Sequence, residues 1–97
     1  MFDIYLSDEA GEQLDRLKID KGPTKRYKAV KKALKFLSQN PRHSGLQTHE
    51  FTSLKGPKGE KVFEAYAEQA TPVAYRIFLY YSPKEKQITI ISITPHP

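Results

Sequence analysis

Ninety-seven residues, 38% of them apolar and 11% aromatic, describe one folded domain over 1–97 and exclude a disordered chain or two separate cores. A domain of this length buries roughly 60–70% of its unfolded surface, enough for a single two-layer core. The chain has no cysteine, which excludes a disulfide framework, thiolate metal ligands and a cysteine nucleophile, and fits a reducing cytoplasm.

The N-terminal run MFDIYLSDEAGEQL turns acidic at its third residue and has no apolar h-region, so no signal peptide is expected. No apolar stretch is long enough to span a bilayer. The net charge of +5 conceals an asymmetry: residues 1–20 carry six acids and two bases, a net −4, whereas residues 21–97 carry five acids and fourteen bases, a net +9. Between Lys21 and His49 stand eight Lys/Arg and no acid. Such a field attracts polyanions, whether nucleic acid, headgroups or an acidic protein, although a charge run by itself is more commonly a solvated face.

In chain order, Phe2–Leu6 alternates apolar and mixed residues as a short edge strand does. Ser7 and Asp8 are N-cap candidates, and Asp8, Glu9 and Glu12 suit the positive end of a helix dipole. With Ala10, Leu14 and Leu17 on one face, a first helix is expected over about 8–20. Lys21-Gly22-Pro23 breaks it, with Gly22 suited to a left-handed C-terminal position and Pro23 to the first turn of a second helix. That helix covers about 23–39. Tyr27, Val30, Leu34 and Leu37 form its buried stripe, widened by Ala33. Lys25, Lys28, Lys31, Lys32 and Lys35 lie on the opposite arc. Asn40-Pro41 ends it.

The stretch from Pro41 to Gly59 is turn-rich, with a short strand possible over His49–Leu54. Lys55–Gly59 is a turn by composition. Strands are then expected at Lys61–Glu68, Val73–Tyr81 and Gln87–Thr94, and short connections make them an antiparallel meander. The fold class is therefore α+β, with an N-terminal strand and a helical hairpin on one face of a mainly antiparallel sheet. In Val73–Tyr81, Tyr75, Ile77, Leu79 and Tyr81 point one way, to the helices, and Ala74, Arg76, Phe78 and Tyr80 the other. Arg76 thus stands mid-strand on the open face, where a salt bridge to Glu64 or Glu68 is its plain structural explanation.

Several local runs agree with a known family. Asn40-Pro41 through Leu46 resembles an "NP…GL" link after a second helix. Leu54-Lys55-Gly56 resembles an "L-K-G" run before a strand, and Tyr75–Tyr80 a "YRI.Y" or "HRLVY" central strand. Thr94-Pro95-His96-Pro97 stands where some ribonucleases end on histidine or tyrosine. Taken with the element order β-α-α-β-β-β, the chain resembles the RelE/ParE toxin superfamily, and in motif order RelE/YoeB-like mRNA interferases.

The resemblance implies the toxin of a type II toxin–antitoxin pair, neutralised by a cognate antitoxin. It leaves two activities open: RNA cleavage, often on the ribosome, or inhibition of DNA gyrase without catalysis. A non-toxic RNA- or protein-binding module is a third possibility. Metal-free RNA cleavage by 2′-OH attack needs a base, an acid and cations for the phosphorane. The resemblance points to Arg76 for the phosphate and His96 for proton transfer. If Ile91 and Ile93 face the core, Ser92, Thr94 and His96 face the groove. His49, Glu50, Lys55 and Lys61 are further catalytic candidates. Lys28, Lys32 and Lys35 are candidates for binding nucleic acid, and Tyr80 for stacking on a base. No metal motif or nucleotide-binding glycine loop is present, and no cofactor is expected. Two departures stand out: the Pro-His-Pro ending lacks the tyrosine of some nucleases, and the groove lacks their dense Lys/Arg set.

Overall fold

Five short strands pair into one sheet, and the computed structural model describes the chain over residues 1–19, 24–69, 74–82 and 86–95. The chain runs β1 (Asp3–Leu6), α1 (Asp8–Ile19), α2 (Thr24–Gln39), a 3-10 turn (Ser44–Leu46), β2 (His49–Lys55), β3 (Lys61–Tyr66), β4 (Tyr75–Tyr81) and β5 (Gln87–Pro95). The sheet order is β1-β5-β4-β3-β2. All neighbours are antiparallel except β1, which pairs parallel to β5. Two helices cover one face of a mainly antiparallel sheet, as expected. The segment after the 3-10 turn is a full edge strand, so the order contains one more strand than β-α-α-β-β-β. The expected roles of Gly22 and Pro23, and the Gln69–Pro72 and Ser82–Lys86 turns for the most part, lie outside the described residues.

The helices form where their caps and stripes place them. The Ser7 hydroxyl accepts from the Ala10 amide at 3.0 Å, closing the first turn of α1, while Asp8 and Glu9 sit at its positive end. Ala10 and Leu17 of α1 and Val30, Ala33 and Leu37 of α2 are buried against Ala65, Ile77, Leu79, Ile88, Ile90 and Ile93 of the sheet. Leu14, Tyr27 and Leu34 complete the stripes from half-buried positions. The N-terminus is tied to the end of α2 twice, by Phe2 N donating to Ser38 O and Ser38 Oγ donating to Phe2 O.

One expectation about β5 is corrected. Phe78 pairs with Ser92 but Leu79 pairs with Ile90, so Ile91 is an extra residue in a bulge. The bulge reverses the alternation: Ile88, Ile90 and Ile93 are buried in the core, and Ile91 is only half-buried. The side chains of α1 satisfy the backbone there. Ser7 Oγ donates to Ile91 O at 2.7 Å, and Gln13 Oε1 accepts from Ile93 N at 2.6 Å. Because β1 ends at Leu6, these groups stand in for the strand neighbour that β5 lacks beyond Ile90.

The open face is not bare. Val62 and Phe78 are buried on it, and Phe51 of β2 meets Phe78 edge-on with centroids 5.0 Å apart. The core is nonetheless on the helix side. Ile77→Ala is expected to lower the unfolding free energy by about 2–5 kcal/mol, measured by urea denaturation, whereas the exposed Lys28→Ala is expected to leave it essentially unchanged.

Candidate functional site

The open-face residues of three adjacent strands converge on one carboxylate. Cross-strand register sets Glu64 opposite Phe78 and His49, and Arg76 opposite Tyr66 and Thr94. His49 Nε2 lies 2.9 Å from Glu64 Oε1, and Arg76 Nε lies 3.8 Å from Glu64 Oε2. The Arg76 guanidinium stacks on the Tyr66 ring, its Cζ 3.8 Å from the centroid. Its Nη1 donates to the carbonyls of Ala74 at 3.2 Å and Glu68 at 3.4 Å. The expected structural partner of Arg76 is thus present: the carboxylate is that of Glu64, while Glu68 turns its own to Arg26 and to the Tyr75 amide.

Burial divides the roles. The side chains of Glu64 and Arg76 are 9% and 12% exposed, and that of His49 is 45% exposed. A carboxylate so enclosed needs compensating charge, and here it lies between a guanidinium and an imidazole. His49 Nδ1 lies 2.8 Å from Gln47 O. A carbonyl can only accept, so Nδ1 carries hydrogen, and Nε2 faces a carboxylate. Both ring nitrogens thus face oxygen acceptors, a carbonyl at Nδ1 and a carboxylate at Nε2. The left-handed backbone of Gln47, φ 48° and ψ 40°, stands where that carbonyl meets Nδ1. Arg76 Nε is buried without a hydrogen bond, 3.8 Å being beyond one.

The remaining candidates are distributed differently. Glu50 pairs with Phe63, on the other side of β2 from His49, and is exposed. Lys55 pairs with Lys61. Alternation along β3 puts that pair on the side of Phe63 and Ala65, away from Glu64. Glu50, Lys55 and Lys61 therefore do not join the Arg76 cluster. Tyr80 is half-buried toward the far end of β4 and shares a cleft of about 690 Å³ with Lys58, Lys61 and Tyr81. Lys28, Lys32 and Lys35 are exposed on α2, across the sheet from Arg76. His96 lies outside the described residues; Thr94, two positions earlier, is directly opposite Arg76. His43 stacks on Phe36 with centroids 4.2 Å apart and accepts from the Gly45 amide, shaping the loop.

Glu64 and Tyr66 are the members that residue-by-residue reading passed over as functional. Their alternation in Lys61–Tyr66 placed them on one face, but the register that brings them to Arg76 belongs to the assembled sheet.

Compared by sequence, the chain matches no protein-family model and no curated protein. Compared by structure, it is similar to a chain of the archaeal RelE–RelB complex from Pyrococcus horikoshii OT3, with 17% identity, 97% of this chain and 93% of that chain covered, and a TM-score of 0.64. It is similar to YoeB from Staphylococcus aureus, solved as a dimer, with 18% identity, 99% and 98% covered, and a TM-score of 0.67. The YoeB/ParE toxin from Agrobacterium tumefaciens aligns with 8% identity, 99% and 100% covered, and a TM-score of 0.71. The fold of the chain is that of the RelE/ParE toxins. Among the described residues no helix is long and apolar enough to cross a membrane.

Removing the central carboxylate leaves Arg76 enclosed without its counter-charge. Glu64→Ala is expected to lower stability by about 3–5 kcal/mol, and His49→Ala, at a far more exposed partner, by about 1 kcal/mol or less. Chemical denaturation of both variants and of the double variant measures this; equal losses for the two single variants would contradict the ordering.

Proposed function

We propose that this chain is the toxin of a type II toxin–antitoxin pair and that it cleaves RNA without a metal, in the cytoplasm, from the open face of its sheet. The observation that carries the reading is the His49–Glu64–Arg76 cluster on a fold shared with RelE- and YoeB-named proteins. Metal-free cleavage needs proton-transfer groups beside fixed positive charge, and this cluster supplies both kinds. Arg76 balances charge on the scissile phosphate and its phosphorane. Glu64 orients the His49 ring, and His49 in its protonated form delivers a proton to the leaving 5′ oxygen. His96, two residues beyond Thr94, which is opposite Arg76, takes the proton of the attacking 2′-OH. A cognate antitoxin protein holds the toxin inactive, and mRNA, on the ribosome or free, is the substrate. Lys28, Lys32 and Lys35 contribute sequence-independent attraction to it.

A second reading rests on one specific observation. Arg76 is only 12% exposed and its charge is met by Glu64, as in a structural lock. On that reading the chain acts by binding alone, as a gyrase-inhibiting toxin or as a non-toxic RNA- or protein-binding module.

Primer extension on mRNA, after induction in cells and with purified ribosomes, separates the two. Wild-type protein is expected to produce discrete cuts. Arg76→Lys, His49→Ala and His96→Ala are each expected to lower the cleavage rate by about a hundredfold or more, with circular dichroism confirming the fold. No cuts by the wild type would end the enzyme reading and direct the work to gyrase supercoiling. Cutting by all three variants at the wild-type rate would place catalysis elsewhere.

A further inference from the structure

On the helix side of the sheet, the opposite side from Arg76, the loop after α2 overhangs a cleft of about 640 Å³. Its floor is aromatic: Phe2, Phe63 and Tyr81, all half-buried, meet edge-on with centroids 6.1 Å (Phe2–Tyr81) and 5.3 Å (Phe63–Tyr81) apart. Its rim is polar and cationic, with Arg42 exposed and the amides of Asn40 and Gln47 beside it. Nothing in the catalytic reading uses this cleft.

We propose that the cleft holds one nucleotide of a single-stranded RNA, its base against the aromatic floor and its phosphate at Arg42. Three features favour this occupant. A floor of ring faces and edges accepts any base, and stacking of this kind is tolerant of sequence. The cation stands at the mouth, where the phosphate of a stacked nucleotide emerges. The cleft also continues the acid-free run of eight bases between Lys21 and His49, whose field is complementary to a polyanion rather than to a basic partner. Burial pushes the Tyr81 phenol above its ordinary value while the charge of Arg42 lowers it, which agrees with both lining one cleft.

The cleft and the open-face cluster are joined by one short stretch of chain. Gln47 and Thr48 line the cleft, and the next residue, His49, crosses to Glu64. Gln47 serves both sides, since its carbonyl meets the His49 ring. A strand anchored in the cleft therefore reaches the cluster over the β2 edge within a few residues of chain. The inference rests on the preceding reading in taking RNA as the ligand, but it concerns binding and requires no cleavage.

The test uses the full chain and a short fluorescent oligoribonucleotide, 2′-O-methylated so that it cannot be cut through its 2′-oxygen. Binding is measured across a salt series with wild type, Arg42→Ala, Arg42→Glu and, as a control on the other helix, Lys18→Ala. Losing one phosphate contact lowers the slope of log affinity against log salt by about 0.7 for a single strand. Arg42→Ala is expected to show that drop together with about a tenfold loss at low salt, Arg42→Glu a larger loss, and Lys18→Ala neither. Amide chemical shifts of residues 40–48 and 81 are expected to move on titration with the oligomer, and less with a nucleoside monophosphate at equal concentration. Binding with both Arg42 variants equal to wild type, or an oligomer that leaves those amides unmoved, would overturn the proposal. A monophosphate binding as tightly as the oligomer would also overturn it, since the site would then serve a free nucleotide. If primer extension shows no cleavage while Arg42-dependent binding persists, the enzyme reading fails and this one stands.

Discussion

Every residue of β4 has two faces to satisfy at once, and the organisation of the molecule depends on that constraint. The strand is paired on both edges, by β3 and β5. Ile77 and Leu79 go under the helices, and Arg76 and Phe78 go to the open face, where Phe51, Tyr66 and Glu64 enclose them. A guanidinium in that position, 12% exposed, meets little bulk water. It is held instead by an aromatic face, two carbonyls and a carboxylate. The carboxylate in turn is tolerable only because His49 and Arg76 flank it. The cluster is accordingly both a stability element and the most chemically loaded point of the fold.

The sheet is adapted to its helices by small departures from regularity. A single extra residue at Ile91 shifts the facing of β5, so that Ile88 and Ile90 on one side of the bulge and Ile93 on the other all reach the core. The unpaired backbone this creates is met by Ser7, which caps α1, and Gln13 within it. The cap of the first helix therefore also holds the last strand, and the two ends of the chain are interdependent. At the other edge, the register of β2 against β3 shifts between Glu50 and Lys55, separating His49, which faces the cluster, from the lysines near the hairpin turn.

Charge is partitioned across the sheet in the same way. The lysines of α2 point to solvent on the helix side, and the open-face cluster is balanced internally. The link between the two sides is the short passage Gln47–Thr48–His49, where successive residues face a cleft on one side and a carboxylate on the other.

Periodicity and caps alone determined the helices, their buried stripes, the three consecutive strands and the two faces of Tyr75–Tyr81, because each depends on neighbours within a few residues along the chain. The open-face position of Arg76 and its pairing with a nearby glutamate were legible for the same reason. Other features depend on residues far apart in sequence. The bulge at Ile91 reflects packing against α1, and alternation through Ile91 and Ile93 could not foresee it. The separation of His49 from Glu50, Lys55 and Lys61 follows from cross-strand register, which composition does not encode. The convergence of His49, Glu64, Tyr66 and Arg76 arises only when three strands are aligned. Sequence determines which faces exist; the hydrogen-bonded register of the assembled sheet decides which side chains share one.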